Sequence, residues 1–399
     1  MILQMTARKF EILILNQISQ VGLRRFPHES YQVGKDVANP DAILVRSQDM
    51  HGTRIAESVR AIGRAGAGTN NIPVEAMSRR GVPVFNAPGA NANAVKELVL
   101  AGMLMAARNL PAAMEFVAGL SGDDQGLAKR VEEGKKQFAG AELPNHTLGV
   151  VGLGKVGSIV ADAAIKLGMN VLGYDPEITV DAAWSLPSQV KKANSIEEVL
   201  KSSHFVTLHV PLLDVTRNLI GARSIDLLRP GATLLNFSRE EIVDARAVVD
   251  ALASHKLKYY VTDFPAGILA GNPGVIALPH LGASTREAED NCAVMVVDQV
   301  RDYLENGNIQ NAVNFPLVVM QREAPFRLAV ANANVPNMVG QISGAMAKAG
   351  LNIHNMLNRS RGEMAYTLVD VDSAVSSTLV DEIAGINGVL AVRYLPRVH

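Results

Sequence analysis

The 399-residue chain is 48% hydrophobic and 19% charged with a formal net charge of −1, the make-up of an ordinary globular protein and not of a disordered or low-complexity one. Near-neutral charge excludes the electrostatic footprint expected of a nucleic-acid or anionic-membrane binder, and the length allows two or three domains, each with its own core. A single cysteine, Cys292, excludes an internal disulfide framework, fits a reducing cytoplasm, and reads as a small buried apolar residue.

At the N-terminus, Arg8, Lys9 and Glu11 interrupt the apolar residues of "MILQMTARKFEILILNQIS", and no small-residue cleavage site follows, so no signal peptide is expected. "FEILILN" from Phe10, "AILVRS" from Ala42 and "VPVFNAP" from Val82 read as strands or strand ends. "NAVKELVLAGMLMAARNL" from Asn93 reads as a long helix, apolar on nearly all sides and therefore covered by another domain or subunit. Its longest apolar run, Leu98 to Ala107, is about half of a bilayer span, so no membrane contact and a soluble, cytoplasmic protein are expected. The charged stretch "GLSGDDQGLAKRVEEGKKQF" reads as loop or weak helix.

A βαβ pattern begins at Thr147, and strands alternate with amphipathic helices through residue 280, which signals a largely parallel sheet. In "TLGVVGLGKVGSIVADAAIKLGMNVLGYDP", Gly152, Gly154 and Gly157 form a G-x-G-x-x-G pattern between a strand and a helix. Such glycines permit a tight turn and close backbone approach to a pyrophosphate, with Lys155 and Val156 at the helix start offering N–H groups to the negative charge. Asp175, 18 residues past Gly157, sits where a carboxylate accepts from the adenosine ribose and repels a 2′-phosphate, so the expected cofactor is NAD. Further on, Arg239 follows the strand "ATLLNFS", and His280 ends the apolar run of "VTDFPAGILAGNPGVIALPHLGAST". A histidine there is either a satisfied structural residue or a general acid/base at the mouth of a sheet.

After Asn314 the rhythm changes. "FPLVVMQREAP" has prolines near both ends and reads as a linker. Beyond it the pattern is strand "FRLAVANAN", helix "NMVGQISGAMAKAG", strands "LNIHNML" and "EMAYTLVDVD", helix "STLVDEIAG" and strand "VLAVRYL", a βαββαβ order that predicts a ferredoxin-like sandwich.

Taken together, "GRAGAGTNNIPVEAMSRRGVPVFNAPGANANAVKEL", "GVVGLGKVG", "HVPLLDVTRNLI", "NFSREEIVD", "TDFP" and "PHLGASTREAE" resemble the D-isomer-specific 2-hydroxyacid dehydrogenase family, and within it the phosphoglycerate dehydrogenases. The resemblance implies an α/β protein with two Rossmann-like doubly wound domains, the chain passing from the substrate domain (1–93 and 281–316) into the NAD domain (94–280) and back. A linker (317–323) and a C-terminal ACT domain (324–399) would follow, with the active site in the cleft between the two larger domains. It implies an NAD-dependent interconversion of 3-phosphoglycerate and 3-phosphohydroxypyruvate, on the route to serine. Arg239 would grip the substrate carboxylate and keto oxygen, and His280 would exchange the proton of the 2-hydroxyl. Asp263 would hold the nicotinamide carboxamide, with Pro211, Thr216 and Ser238 lining the cofactor cleft. Gly66, Ala67 and Gly68 would offer backbone amides to the carboxylate, and Arg46, Ser47, Arg64 and Asn91 would meet the rest of the substrate.

Two departures from the family pattern bear on this. The glutamate expected shortly after "DF" is replaced by the stretch Ala266, Gly267, Ile268, leaving His280 without the carboxylate that would hold its proton. In the C-terminal module Asn332 stands where serine-binding relatives have a histidine and Asn337 replaces a glycine, while Asn334 and Asn352 keep matching amides for an amino-acid effector between two copies. The histidines show no metal-ligand spacing, so no metal is expected. The resemblance also implies a homodimer or homotetramer. Two alternatives stay open: a reductase of another small 2-oxo acid such as glyoxylate or hydroxypyruvate, and a non-catalytic NAD-binding regulator.

Overall fold

The computed structural model describes residues 8–396, and they divide into two compact units. One combines the residues up to Asn91 with those from Arg286 onward; the other is Ala92–Thr285. These breaks fall two and five residues from the expected boundaries at 93 and 280, and the C-terminal module belongs to the first unit.

In that unit β1 (Phe10–Ile14), β2 (Tyr31–Gly34), β3 (Ala42–Val45), β4 (Ala61–Arg64) and β5 (Val84–Phe85) form a parallel sheet of order β2-β1-β3-β4-β5. The central β3 is buried along its whole length, the unbroken apolar run of a parallel strand covered on both faces. The helix Arg286–Asn306 lies over β4. Gly63 makes that approach close, since a Cβ there would stand 2.8–2.9 Å from Leu44, Val296 and Val300. Cys292 is buried in this helix, and burial raises its thiol pKa.

The same unit holds an antiparallel sheet of β13 (Phe326–Ala333), β14 (Ile353–Arg361), β15 (Met364–Val371) and β16 (Val389–Pro396), in the order β14-β15-β13-β16. Helices Met338–Lys348 and Ser377–Ala384 complete the expected βαββαβ sandwich. Leu328, Val330 and Val369 pack against Ile342, Met346 and Ile383 of those helices. The opposite face is not free: Ala329, Ala331, Tyr366 and Leu368 share one core with Tyr303, Phe315, Val318 and Met320. The segment read as a linker is gripped along its length. Ile309 bridges Val318, and the fully buried Arg327 donates to the carbonyls of Asn306, Met320 and Gln321 while forking onto Asp370 (Nε–Oδ1 2.5 Å, Nη2–Oδ2 2.9 Å).

The second unit is built on a parallel sheet of β6 (Thr147–Val151), β7 (Asn170–Tyr174), β8 (Val190–Lys192), β9 (Phe205–Leu208), β10 (Ala232–Asn236), β11 (Leu257–Thr262) and β12 (Val275–Ala277). Its order, β12-β11-β10-β9-β6-β7-β8, reverses direction between β6 and β9, the topological switch point at which doubly wound sheets open a ligand crevice. The helix Ala92–Ala107 packs Val99, Met103 and Ala106 into this unit's core with Phe237 and Val261. The charged stretch from Gly119 is more ordered than expected: Asp123 caps a helix Asp124–Gly134 by accepting from Gly126 N, with Lys129 and Glu133 paired one turn apart. Among the described residues no helix is long and apolar enough to cross a membrane.

Candidate active site and cofactor cradle

The glycine loop leaves β6 at the switch point and enters the helix Lys155–Lys166. Each glycine has a separate steric reason. Gly152 turns at φ +90°, and a Cβ on it would lie 2.5 Å from the His209 carbonyl. A Cβ on Gly157 would lie 1.9 Å from the Gly152 carbonyl, so the helix could not start so close to the strand. Around Gly154 nothing of the protein lies within 4 Å of an added Cβ, and that open side is where a pyrophosphate can approach the N–H groups of Lys155 and Val156.

Asp175, just past β7, is fixed by two backbone donors, Leu153 N on Oδ2 (2.8 Å) and Glu177 N on Oδ1 (3.0 Å). It borders a cavity of about 380 Å³ with Leu153, Ile178, Ala183, Leu186 and Ala193 in its wall, an apolar slot of the kind that takes an adenine. Sequence reading missed these apolar residues. Their signal, a short amphipathic turn after the aspartate, is too weak to separate from ordinary core. Deeper in the crevice Thr216 accepts from Leu213 N and donates to the Pro211 carbonyl, which closes the 211–216 loop. Ser238 Oγ donates to the Leu208 carbonyl and ties the ends of β9 and β10. His209, which stacks its carbonyl beneath Gly152, has its pKa pushed down to about 3 by burial and pairs through Nε2 with Thr207 Oγ1.

Arg239, Asp263 and His280, past β10, β11 and β12 in turn, share one electrostatic neighbourhood. Asp263 is 1% exposed, and burial raises its carboxyl pKa against the opposing pull of Gly282 N–H, His280 and Arg239. Its Oδ2 accepts from Gly282 N (3.1 Å), while Oδ1 is buried without a hydrogen-bond partner among the described residues. An acceptor so placed suits the N–H₂ of a carboxamide. His280 takes the left-handed φ of +48°, held there by its N–H on the Asp263 carbonyl (2.9 Å), and its exposed ring lies 4.9 Å from that of Phe264. A non-glycine residue in that region is strained by on the order of 1 kcal/mol or more, a cost found where geometry serves function. Ile268, on the turn Gly267–Leu269, is 47% exposed, and no carboxylate bonds the His280 ring among the described residues. Arg239 is exposed and donates through Nη1 to the Ser238 carbonyl (2.6 Å).

The substrate candidates lie in the first unit, at the ends of β3 and β4. Arg46 is paired with Glu289 (2.7 Å), and Ser47 Oγ accepts from Asn16. Arg46, Ala65, Arg286, Glu289 and Asp290 border a cavity of about 360 Å³. Glu289 and Asp290 are residues that sequence reading passed over, although "STREAED" displays them. Arg64 lies at the end of β4 with a buried Nε. Gly66 does not offer its amide as expected, because its N–H donates to the Arg64 carbonyl (2.8 Å). Ala67 and Gly68 carry no such bond on their N–H groups among the described residues, and Asn91 ends the first of the unit's two segments.

The effector amides are not gathered in one copy. Asn332 is wholly buried inside β13 and donates to the Ala333 carbonyl, so it does not face a ligand. Asn334 bonds Gly362 before β15, and Asn352 bonds Asp372 after it, so the two stand at opposite ends of an eight-residue strand that is itself roughly 25 Å long. Among the described residues no cluster of three or more His, Cys, Asp or Glu side chains could hold a metal.

This geometry agrees with the comparisons. Residues 100–282 match the model of the D-isomer specific 2-hydroxyacid dehydrogenase NAD binding domain. The D-3-phosphoglycerate dehydrogenase of Haemophilus influenzae is 33% identical over 352 residues, 85% of this chain and 82% of that protein. The chain belongs to the D-isomer specific 2-hydroxyacid dehydrogenases. The D-3-phosphoglycerate dehydrogenase of Methanocaldococcus jannaschii is 38% identical over 72% of this chain, which spans only 54% of that relative's length. Among solved structures, a cofactor (NAD+)-bound 3-phosphoglycerate dehydrogenase of Entamoeba histolytica matches with a TM-score of 0.60 and 26% identity, over 77% of this chain and 99% of the other.

Proposed function

We propose that the chain is an NAD-dependent dehydrogenase interconverting 3-phosphoglycerate and 3-phosphohydroxypyruvate. The observation that carries the proposal is the set of Asp263, His280 and Arg239 at one edge of a sheet whose switch point carries the glycine loop. The names of the relatives supply the substrate. NAD bound on the glycine loop would supply the hydride acceptor. Arg239 orients the 2-hydroxy acid through charge-assisted bonds, and the His280 ring takes the proton from the 2-hydroxyl as C2 is oxidised. Asp263 Oδ1 would accept from the carboxamide of bound NAD, and Arg46 and Arg64 would offer their guanidinium groups to the phosphate end of the substrate.

One observation favours the reading as a reductase of an unphosphorylated 2-oxo acid: Arg46 already carries a carboxylate, that of Glu289. Steady-state reduction with NADH separates the two. A kcat/KM for 3-phosphohydroxypyruvate at least tenfold above those for hydroxypyruvate and glyoxylate is expected, and the reverse order would assign the second reading.

A homodimer or homotetramer belongs to this proposal. Supporting it, the helix Leu110–Ala118 buries none of its residues and exposes Leu110, Met114 and Val117, an apolar face that a second copy would cover. The amino-acid effector also needs two copies, so that Asn334 of one and Asn352 of the other can meet the same ligand.

A further inference from the structure

Within the first unit the helix Arg286–Asn306 has two working faces. Val296 and Val300 lie against Gly63 of β4, while Asn291, Met295, Gln299 and Asp302, spaced three or four residues apart, fall on a second stripe. That stripe borders a cavity of about 620 Å³, walled elsewhere by Gly89, Ala90, Asn308, Gln310 and Asn311. The far wall is held in place, since Ile309 bridges Val318 and Ala312 bridges Phe85. None of these residues has a part in the proposed reaction.

Gln299 is 7% exposed, and its Nε2 and Oε1 are both buried with no hydrogen-bond partner among the described residues. A buried amide whose donor and acceptor ends are both idle is costly, and it calls for a partner from outside the chain. The neighbouring charges say of what kind. Asp298 is spent on Arg25 (Oδ1–Nε 2.5 Å). Asp302 accepts from Asn306 Nδ2 (2.8 Å) and Asn308 Nδ2 (3.1 and 3.2 Å), amides that orient the carboxylate without cancelling its charge. Among the described residues no lysine, arginine or histidine lines the cavity. An anion is therefore repelled, and a cation is drawn to Asp302.

We propose that this cavity binds a small hydroxylated amine of the amino-sugar class. Its ammonium meets Asp302, and two adjacent hydroxyls, each both donor and acceptor, pair with Oε1 and Nε2 of Gln299. Gln299 and Asp302 stand one helical turn apart, about 5–6 Å between Cβ atoms, a gap that a single sugar ring spans. The amides of Asn291, Gln310 and Asn311 suit the remaining hydroxyls.

The test is calorimetric titration of the full chain, saturated with NADH so that its ribose-binding surface is occupied. Glucosamine is the probe in one arm and glucose in the other, at about pH 6.5, where such an amine is charged. Saturable binding of glucosamine is expected, at least tenfold tighter than that of glucose. Asp302→Asn should bring glucosamine down to the level of glucose. Gln299→Leu, close in volume, should weaken glucosamine about tenfold while leaving the thermal midpoint unchanged or higher, because it removes an idle buried amide. A lowered midpoint in that variant would give Gln299 a partner within the fold and overturn the proposal. So would no saturable binding of glucosamine, equal binding of the two sugars, or full binding retained by a folded Gln299→Leu protein.

Discussion

Replacing Asp370 with asparagine tests what holds the C-terminal module in place. All five N–H groups of the buried Arg327 are used: two on Asp370, two on the carbonyls of Asn306 and Met320, one on that of Gln321. Both side chains are fully buried, so Asp370→Asn leaves a guanidinium charge in the interior with no counter-charge. Breaking such a pair costs about 3–5 kcal/mol, whereas an exposed pair is worth less than about 1. A loss of about 4 kcal/mol multiplies the population of the opened module roughly a thousandfold. Hydrogen exchange followed by mass spectrometry reads that opening directly, in peptides covering residues 317–333 and 364–371, under conditions where reclosing outpaces exchange. The expected result is protection lost by two to three orders of magnitude (about 3–4 kcal/mol) there, with the Ala92–Thr285 unit unaffected. The double change Arg327→Met with Asp370→Leu should recover only part of the loss, because three carbonyls keep no donor. A change of less than about tenfold in Asp370→Asn would refute the reasoning, since the pair would then be contributing no more than a surface bridge.

Ile268→Glu places a carboxylate on the turn nearest the missing family glutamate, and a carboxylate beside an imidazolium holds its proton to higher pH. The falling limb of kcat/KM for 2-oxo acid reduction should therefore move upward; an unmoved limb would mean that the turn does not reach His280. Asp175→Ala should lower the preference for NAD over NADP by tenfold or more, measured as the ratio of the two kcat/KM values, because two backbone donors fix the carboxylate where it would meet the adenosine ribose. His209 is enclosed as an imidazole, although the residue keeps some exposed surface, and its pKa of about 3 lies below the unfolded value of about 6.5. The unfolded chain then takes up a proton that the folded one refuses, so stability is lost as pH falls through 6.5 towards 3. The loss should be about 2 kcal/mol by pH 5. Denaturant unfolding at pH 5 and 7 should show a smaller pH effect in His209→Asn than in the parent chain, and equal effects would count against a neutral buried ring.

The glycine spacing, the aspartate after β7 and the βαββαβ rhythm were legible in the sequence because each is local. A φ that only glycine adopts, a carboxylate at a strand end and a period of apolar residues all follow from near neighbours along the chain. The order of residues alone thus determined the two parallel sheets, the sandwich and the cofactor cradle. What it left open depends on side chains far apart in sequence. That Glu289 occupies Arg46, 243 residues earlier, is a matter of where one helix lies across one sheet. Asn332 faces the interior because of its register in β13, and Asn334 and Asn352 stand at opposite ends of a strand because that strand runs antiparallel to both its neighbours. The linker's prolines and polar residues suggested freedom, yet Arg327 and Asp370, 43 residues apart, pin it down. Pair energies of this kind appear only when folding removes both groups from water and fixes their distance, which is why the tertiary structure and not the sequence decided them.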